Sequence, residues 1–205
     1  MKDTAMRPII LLPVLALILL GGCAQPELPR DHFYRLMVPT PEGASSAPEL
    51  PGVIEVQRLA ADGLVSERPL VFSFRDDTQA LRQYNYNLWN EAPPAIVQDQ
   101  LSRYLQAAGI ARRVVTPELR QRPDYQVVGK IRRFEQVVGA PHGVAVELEL
   151  GVVRLRDDGL VFRRSYFAER KTVDDAPATA ARAINEALAE VFAGFVRDIR
   201  ELKVR

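Results

Sequence analysis

Residues 144–156 read VAVELELGVVRLR, and this stretch decides the fold. Its apolar side chains recur at every second position, and Glu147 and Glu149 fall between them. A period of two places alternate side chains on opposite faces of a strand. The stretch therefore predicts a β-strand with one buried face and one solvated face.

Two strand-like segments flank this stretch, at 125–138 and 160–171. Residues typical of turns separate the three segments, with Gly and Pro in 139–143 and two Asp and a Gly in 157–159. Neighbouring strands joined by short turns pair antiparallel. We therefore expect a three-stranded meander that buries one face.

Two further segments show the helical repeat of apolar residues. The first, about 93–108, begins with Pro93 and Pro94 and is followed by Gly109, which is typical of helix boundaries. The second, about 176–202, has Pro177 in its first turn and carries one long apolar stripe. The stripe consists of Ala181, Ile184, Leu188, Val191, Phe192, Phe195, Ile199 and Leu202.

The N-terminal half supplies the remaining strands. The predicted segments are 32–37, 53–59, 70–74, 79–84 and 112–115. We interpret Asp76-Asp77 as a hairpin turn and the Pro-, Ser- and Ala-rich residues 38–52 as a loop. The order ββββαβ–βββα predicts an α+β fold, an antiparallel sheet with both helices packed on one face.

The N-terminus resembles the signal of a bacterial lipoprotein. Lys2 and Arg7 precede an apolar run, residues 8–20. A run of that length is shorter than the roughly 20 residues that span a bilayer. The sequence Leu20-Gly21-Gly22-Cys23 resembles a lipobox, in which the signal is cut before a cysteine whose thiol carries diacylglycerol.

We therefore divide the chain into a signal peptide (1–22), a lipidated tether (23–31) and a single α+β domain (32–205). Cys23 is the only cysteine, so it has no partner for an internal disulfide. We expect Cys23 to carry a diacylglycerol and an N-acyl chain, and we expect no other cofactor. The residue after it is Ala24 rather than Asp, which by the lipoprotein sorting rule predicts the outer membrane, facing the periplasm.

Charge and composition exclude several classes of function. The chain has 27 basic and 26 acidic residues, and the predicted signal contains Lys2, Arg7 and Asp3, so the remainder is neutral. A nucleic-acid partner would require clustered positive charge, and we predict none. A chain of this length is typical of one domain with one core.

The sequence offers no set of residues for catalysis. His32 and His142 are far apart, and no thiol remains once Cys23 is lipidated. Metal-ligand spacings, a P-loop and a nucleophile elbow are absent. Glu147 and Glu149 share one face of a strand, which we interpret as a solvated surface rather than a carboxylate pair for hydrolysis. We predict no catalytic residue, no metal site and no enzyme.

The most distinctive segment runs from Tyr84 to Pro94, reads YNYNLWNEAPP and contains the only Trp. Two interpretations stay open. Tyr84, Tyr86 and Trp89 are candidate partner contacts, because Tyr and Trp are enriched at interface hot spots. The alternative, favoured for Trp89, is that these aromatic residues close one end of the core.

Taken together, the motifs resemble the ABC-type transport auxiliary lipoprotein family, also called PqiC-like, over nearly the whole mature chain. They are the Cys23 lipobox, Phe33-Tyr34-Arg35-Leu36, Val53-Ile54-Glu55-Val56, Leu70-Val71-Phe72, Tyr84-x-Tyr86-x-x-Trp89-x-x-x-Pro93, Leu101, Leu105, Gly109, Asp124-Tyr125 and Arg133-Phe134-Glu135. The spaced run from Tyr84 to Pro93, together with the lipobox, is the most specific part.

The resemblance implies a role without catalysis. Such lipoproteins accompany an ABC permease and ATPase and an MCE-domain (mammalian-cell-entry) protein, which move lipid or other hydrophobic compounds between the two membranes. The lipoprotein would anchor or dock the periplasmic MCE assembly at the outer membrane. By analogy with a ring-shaped MCE assembly, we also expect a homo-oligomer.

Three other functions fit parts of the sequence. A scaffold lipoprotein of another envelope assembly machine would have the same anchor and composition. A lipid-binding periplasmic lipoprotein would have its own cavity. A periplasmic hydrolase would need a clustered nucleophile and base, which the two separated histidines do not provide.

Overall fold

The computed structural model describes residues 29–41, 43 and 47–202. The predicted signal peptide (1–22), Cys23 and most of the predicted tether lie outside these residues. The chain divides into two compact units, Met1–Arg30 and Asp31–Arg205, and all elements named below belong to the second unit.

Nine strands and two α-helices form within the described residues. In chain order they are β1 (His32–Tyr34), β2 (Leu50–Val56), β3 (Ala60–Ala61), β4 (Pro69–Phe74), β5 (Asp77–Trp89), α1 (Pro93–Ala107), β6 (Ala111–Val115), β7 (Tyr125–Val138), β8 (Gly143–Arg154), β9 (Gly159–Lys171) and α2 (Pro177–Glu201). Two short 3₁₀ turns lie at Gly63–Ser66 and Pro117–Leu119.

Strand β7 organises the sheet. Along one edge it pairs antiparallel with β8, which in turn pairs antiparallel with β9. Along the other edge it pairs with three strands in succession: β2 at Tyr125–Val127, β3 at Lys130–Ile131 and β4 at Glu135–Val138. Strand β6 adds to β2, and β5 and then β1 add to β4.

The α+β class, the meander and both helices are confirmed, since α1 and α2 differ from the predicted 93–108 and 176–202 by one residue at each changed end. The predicted all-antiparallel sheet is wrong in part, because the sheet is mixed. β2, β3 and β4 all run parallel to β7, β6 runs parallel to β2, and β1 runs parallel to β5. Partners distant in the chain are joined by long crossovers, which permit parallel pairing, whereas the short turns of the meander do not.

The boundaries of three strands also differ from the prediction by three residues or more. β2 spans Leu50–Val56 rather than 53–59. β1 covers only His32–Tyr34 rather than 32–37, and β5 runs to Trp89 rather than ending at 84. Between its pairings with Val71 and Pro69, the register of β5 shifts by several residues. Because of this irregularity, residues 85–89 form the last part of β5, although the sequence predicts them after the strand.

One core lies between the sheet and the two helices. The even-numbered residues of β8 from Val144 to Val152 are buried toward α2, as the alternation predicts. In α2, the ring of Phe192 lies 5.4 Å from Tyr104 of α1, and the ring of Phe195 lies 5.7 Å from Phe162 of β9. The apolar stripe of α2 therefore joins both helices to the sheet.

A polar contact fixes α2 to the edge strand β9. The Tyr166 hydroxyl donates a hydrogen bond to Asp198 Oδ2 over 2.5 Å, and Arg164 Nη1 donates to Asp198 Oδ1 over 2.8 Å. Gly194 permits this approach, because a Cβ there would lie 3.0 Å from the Tyr166 ring. Burial, and then the bond to Asp198, raises the pKa of Tyr166 above its usual value.

We expect Phe195→Ala to lower the free energy of unfolding by about 3–5 kcal/mol, because it removes a fully buried ring from the centre of the core. Urea denaturation measures this change. Val173→Ala is the control, since Val173 is exposed and its loss should change stability by less than about 0.5 kcal/mol. Equal effects of the two variants would contradict the packing described.

The raised pKa of Tyr166 predicts a specific alkaline weakness. Its stabilising contribution is complete below the unfolded-state pKa of about 10 and is lost as the pH rises toward the higher folded-state value. Tyr166→Phe should therefore be less stable than the wild type at pH 8, and the difference should shrink by pH 11. Thermal unfolding at several pH values measures it, and a pH-independent difference would contradict the assignment.

Candidate functional site

Strand β5 leaves most of one edge unpaired. On one side it pairs with β4, whereas β1 covers only Asn87–Trp89 on the other side. In the described part of the chain no strand pairs with the outer edge of residues 77–86. Such an edge presents a row of backbone N–H and C=O groups to which another strand can add.

Trp89 is the last residue of this strand and lies in the core. Its side chain is 1% exposed, and its ring centroid lies 5.3 Å from that of Phe134. Arg68 fixes the position, since its C=O accepts from the Trp89 N–H over 2.8 Å and its Nε donates to the Trp89 C=O over 3.3 Å. Trp89 is therefore a core residue rather than a partner contact, because its indole ring is enclosed by the core.

Tyr84 is half-buried and already bonded. Its hydroxyl donates to Gln136 Oε1 over 3.0 Å, and Gln136 Nε2 donates to the Asp175 C=O over 2.9 Å just before α2. Its ring centroid lies 4.6 Å from that of Phe72. Burial raises the pKa of Tyr84, and the nearby Asp175 adds to the shift. Tyr84 thus links β5 to the start of α2.

Tyr86 has a different environment. Its side chain is 43% exposed and has no hydrogen bond or ring contact within the described residues. Two more apolar side chains near the open edge are exposed: Leu81 by 40% and Phe33 by 56%. The Arg68 guanidinium lies 5.3 Å from the Phe33 ring centroid, in cation–π range. We call residues 77–86 with Phe33 the β5 edge surface.

Only some of the residues on this surface were predicted from the sequence to contact a partner. Tyr84 and Tyr86 both lie on it, and a role as partner contact stays a prediction for each. Phe33 and Leu81 were not singled out as contacts, although both lie in predicted strands. Their signal in the sequence is weak, because an apolar residue in a strand normally points to the core and only the tertiary structure shows that these two do not.

The two histidines do not form a catalytic site. His142 Nδ1 lies 2.9 Å from Asp175 Oδ1, which is ion-pair distance, although the angle does not meet hydrogen-bond geometry. The Asp175 carboxylate also accepts the Gly139 N–H over 3.3 Å and so fastens the β7–β8 turn to the start of α2. His32 is exposed on β1.

Of the two glutamates on β8, Glu149 forms ion pairs with arginines at the surface. Its carboxylate accepts from Arg132 over 2.7 Å and lies 3.3 Å from Arg163. The bond from Arg132 lowers the pKa of Glu149. Among the described residues, no group of three His, Cys, Asp or Glu is placed to hold a metal ion. Nor does any described helix have the length and apolar character to cross a membrane.

Comparisons with solved structures show the same fold in other proteins. Protein XCC0632 from Xanthomonas campestris, of family DUF330, aligns with a TM-score of 0.71 at 20% identity, covering 80% of this chain and 92% of that one. An uncharacterized protein aligns with a TM-score of 0.67 at 15% identity, covering 83% of this chain and 99% of its own. No curated protein matches the chain in sequence.

A family model matches most of the domain. Residues 34–194 fit the model of the ABC-type transport auxiliary lipoprotein component. The match begins within β1, ends within α2 and contains Tyr84, Tyr86 and Trp89. The chain belongs to the family of ABC-type transport auxiliary lipoproteins.

Proposed function

We propose that this auxiliary lipoprotein is a non-catalytic outer-membrane component of an ABC/MCE-type lipid transport system and docks the periplasmic MCE assembly through the β5 edge surface. The anchor is Cys23, carrying a diacylglycerol and an N-acyl chain. The partners are an MCE-domain protein and, through it, the ABC permease and ATPase. The observation that carries the docking role is the unpaired edge of β5.

The chemistry of the edge supports docking by strand addition. A partner strand gains backbone hydrogen bonds along 77–86, and side-chain contacts supply specificity. Leu81, Tyr86 and Phe33 offer the apolar anchors that such contacts need. Proteins usually protect a free edge with charges, bulges or Pro. Residues 77–86 contain no Pro and only two charged residues, Asp77 and Arg82, while the register with β4 is irregular between those two residues.

The strand directions place the start of β1 next to the β5 edge surface. β4 runs parallel to β7, β5 runs antiparallel to β4, and β1 follows β5. The backbone preceding His32 therefore approaches β1 from the sheet end that contains Asp77 and Val138. Asp77, the first residue of the β5 edge surface, lies at this same end of the sheet.

The polar side chains support a binding role rather than catalysis. Ser73 Oγ donates to the buried Glu135, whose Oε1 also accepts from Arg133 Nη2 over 2.6 Å. Asp198 is held by Tyr166 and Arg164. These carboxylates carry structural bonds, and none is poised beside an unbonded nucleophile as acyl transfer requires.

Cys23→Ser should abolish incorporation of labelled palmitate and leave the signal uncut, because the thiol is the acylated atom. Metabolic labelling followed by density-gradient separation of the two membranes measures both effects. The wild type should be labelled and fractionate with the outer membrane. Labelling that persists in Cys23→Ser, or wild-type protein in the inner-membrane fraction, would contradict the proposed anchor or its location.

Leu81→Lys/Tyr86→Lys should reduce recovery of the MCE-domain protein at least tenfold when tagged full-length protein is purified from detergent-solubilised native membranes. Charges on an edge oppose strand addition, and each lost anchor costs about 2 kcal/mol at a hot spot. Leu160→Lys on β9 is the matched control, since Leu160 is 60% exposed and far along the sheet from β5. Circular dichroism verifies that both variants fold.

Three results would contradict the proposal. Undiminished recovery with the double variant would exclude the β5 edge surface, and loss with Leu160→Lys alone would move the docking site to β9. If wild-type protein recovered only outer-membrane assembly or lipopolysaccharide factors, the scaffold alternative would replace the transport role.

A further inference from the structure

A cavity of about 560 Å³ opens at the end of the sheet opposite to the backbone that leads into β1. It lies where β2 and β7 begin and β8 ends. Three arginines line it, Arg122, Arg154 and Arg156, together with apolar groups that include Pro51 and Leu155. None of these residues belongs to the β5 edge surface.

The frame of this cavity is fixed by Asp124. Its carboxylate accepts the Val53 N–H over 2.8 Å, its own N–H donates to the Val53 C=O over 2.9 Å, and its C=O accepts the Leu155 N–H over 3.0 Å. It thus joins the starts of β2 and β7 to the chain after β8. Gly52 is required beside it, because φ is +100° there and a Cβ would overlap the Asp124 carboxylate.

The charges of the cavity are not balanced. Arg154 is paired, since its Nε and Nη2 donate to the two oxygens of Asp157 over 2.9 and 2.7 Å. The Asp124 carboxylate is engaged by the Val53 N–H. Arg122 and Arg156 are both exposed, and within the described residues neither has a carboxylate at ion-pair distance. Three guanidinium groups therefore stand against two carboxylates, Asp124 and Asp157, and in the part of the chain that the structure describes Arg122 and Arg156 are the two that form no ion pair at close distance.

The chemistry of guanidinium selects the ligand. Its planar array of donors matches phosphate oxygens in a bidentate geometry, and two such groups supply several charge-assisted hydrogen bonds. The apolar wall at Pro51 and Leu155 favours a phosphate that carries an organic substituent over a fully hydrated ion. We propose that the cavity binds a phosphate group, inorganic or esterified, between Arg122 and Arg156.

Isothermal titration calorimetry of the full-length protein in neutral detergent tests this site at constant ionic strength. One arm uses inorganic phosphate, and the other uses dihexanoyl-phosphatidylglycerol below its micelle concentration. Arg122→Gln/Arg156→Gln should weaken binding at least tenfold in whichever arm shows it. Arg58→Gln/Arg112→Gln is the matched control, because it also removes two exposed arginines, outside the cavity, and should bind as the wild type does.

The two arms identify the source of the phosphate. Binding of inorganic phosphate alone identifies a free phosphate, and tighter binding of the lipid, by tenfold or more, identifies a headgroup. No binding in either arm, or equal weakening by both double variants, would overturn the proposal. Thermal unfolding verifies that the variants are folded. If no phosphate binds, the proposed docking role still stands or falls by the pull-down of the MCE-domain protein, which depends on the β5 edge surface.

Discussion

The structure depends on the backbone hydrogen bonds along both edges of β7. On one edge β8 pairs with it over twelve positions from Tyr125 to Val137. On the other, β2, β3 and β4 divide the strand between them. Because each short strand has its own section of β7, segments far apart in sequence are brought into one sheet. The core then forms where α1 and α2 cover its apolar face.

The same arrangement determines which edges and ends of the sheet are covered by other elements. The network from Tyr84 through Gln136 to Asp175 ties the β4–β5 hairpin to α2. The outer edge of β5 and the sheet end near Asp124 are not covered by any described element. The proposed partner surface and the proposed phosphate site both lie at uncovered parts of the sheet; within the described residues the outer edges of β6 and β9 are unpaired as well.

Local patterns in the sequence were sufficient for the helices and the meander, because these depend on periodicity and short turns. Periodicity reports which side of a strand faces the core, but not which strand lies beside it, so the parallel pairing to β7 was missed. Trp89 shows a second limit. A large aromatic residue suits both a core and an interface, and only the position of Phe134 decides between them. The open edge was equally hidden, since it follows from where the three-residue β1 begins, opposite Asn87.

The unpaired edge of β5 has a consequence for how much of this protein a cell can safely make. A free strand edge pairs with any compatible strand, including those of misfolded or partly synthesised chains. Copies that outnumber the proposed partner would carry that hazard. Matched synthesis of the lipoprotein and the proposed partner would thus serve protein quality control as well as stoichiometry.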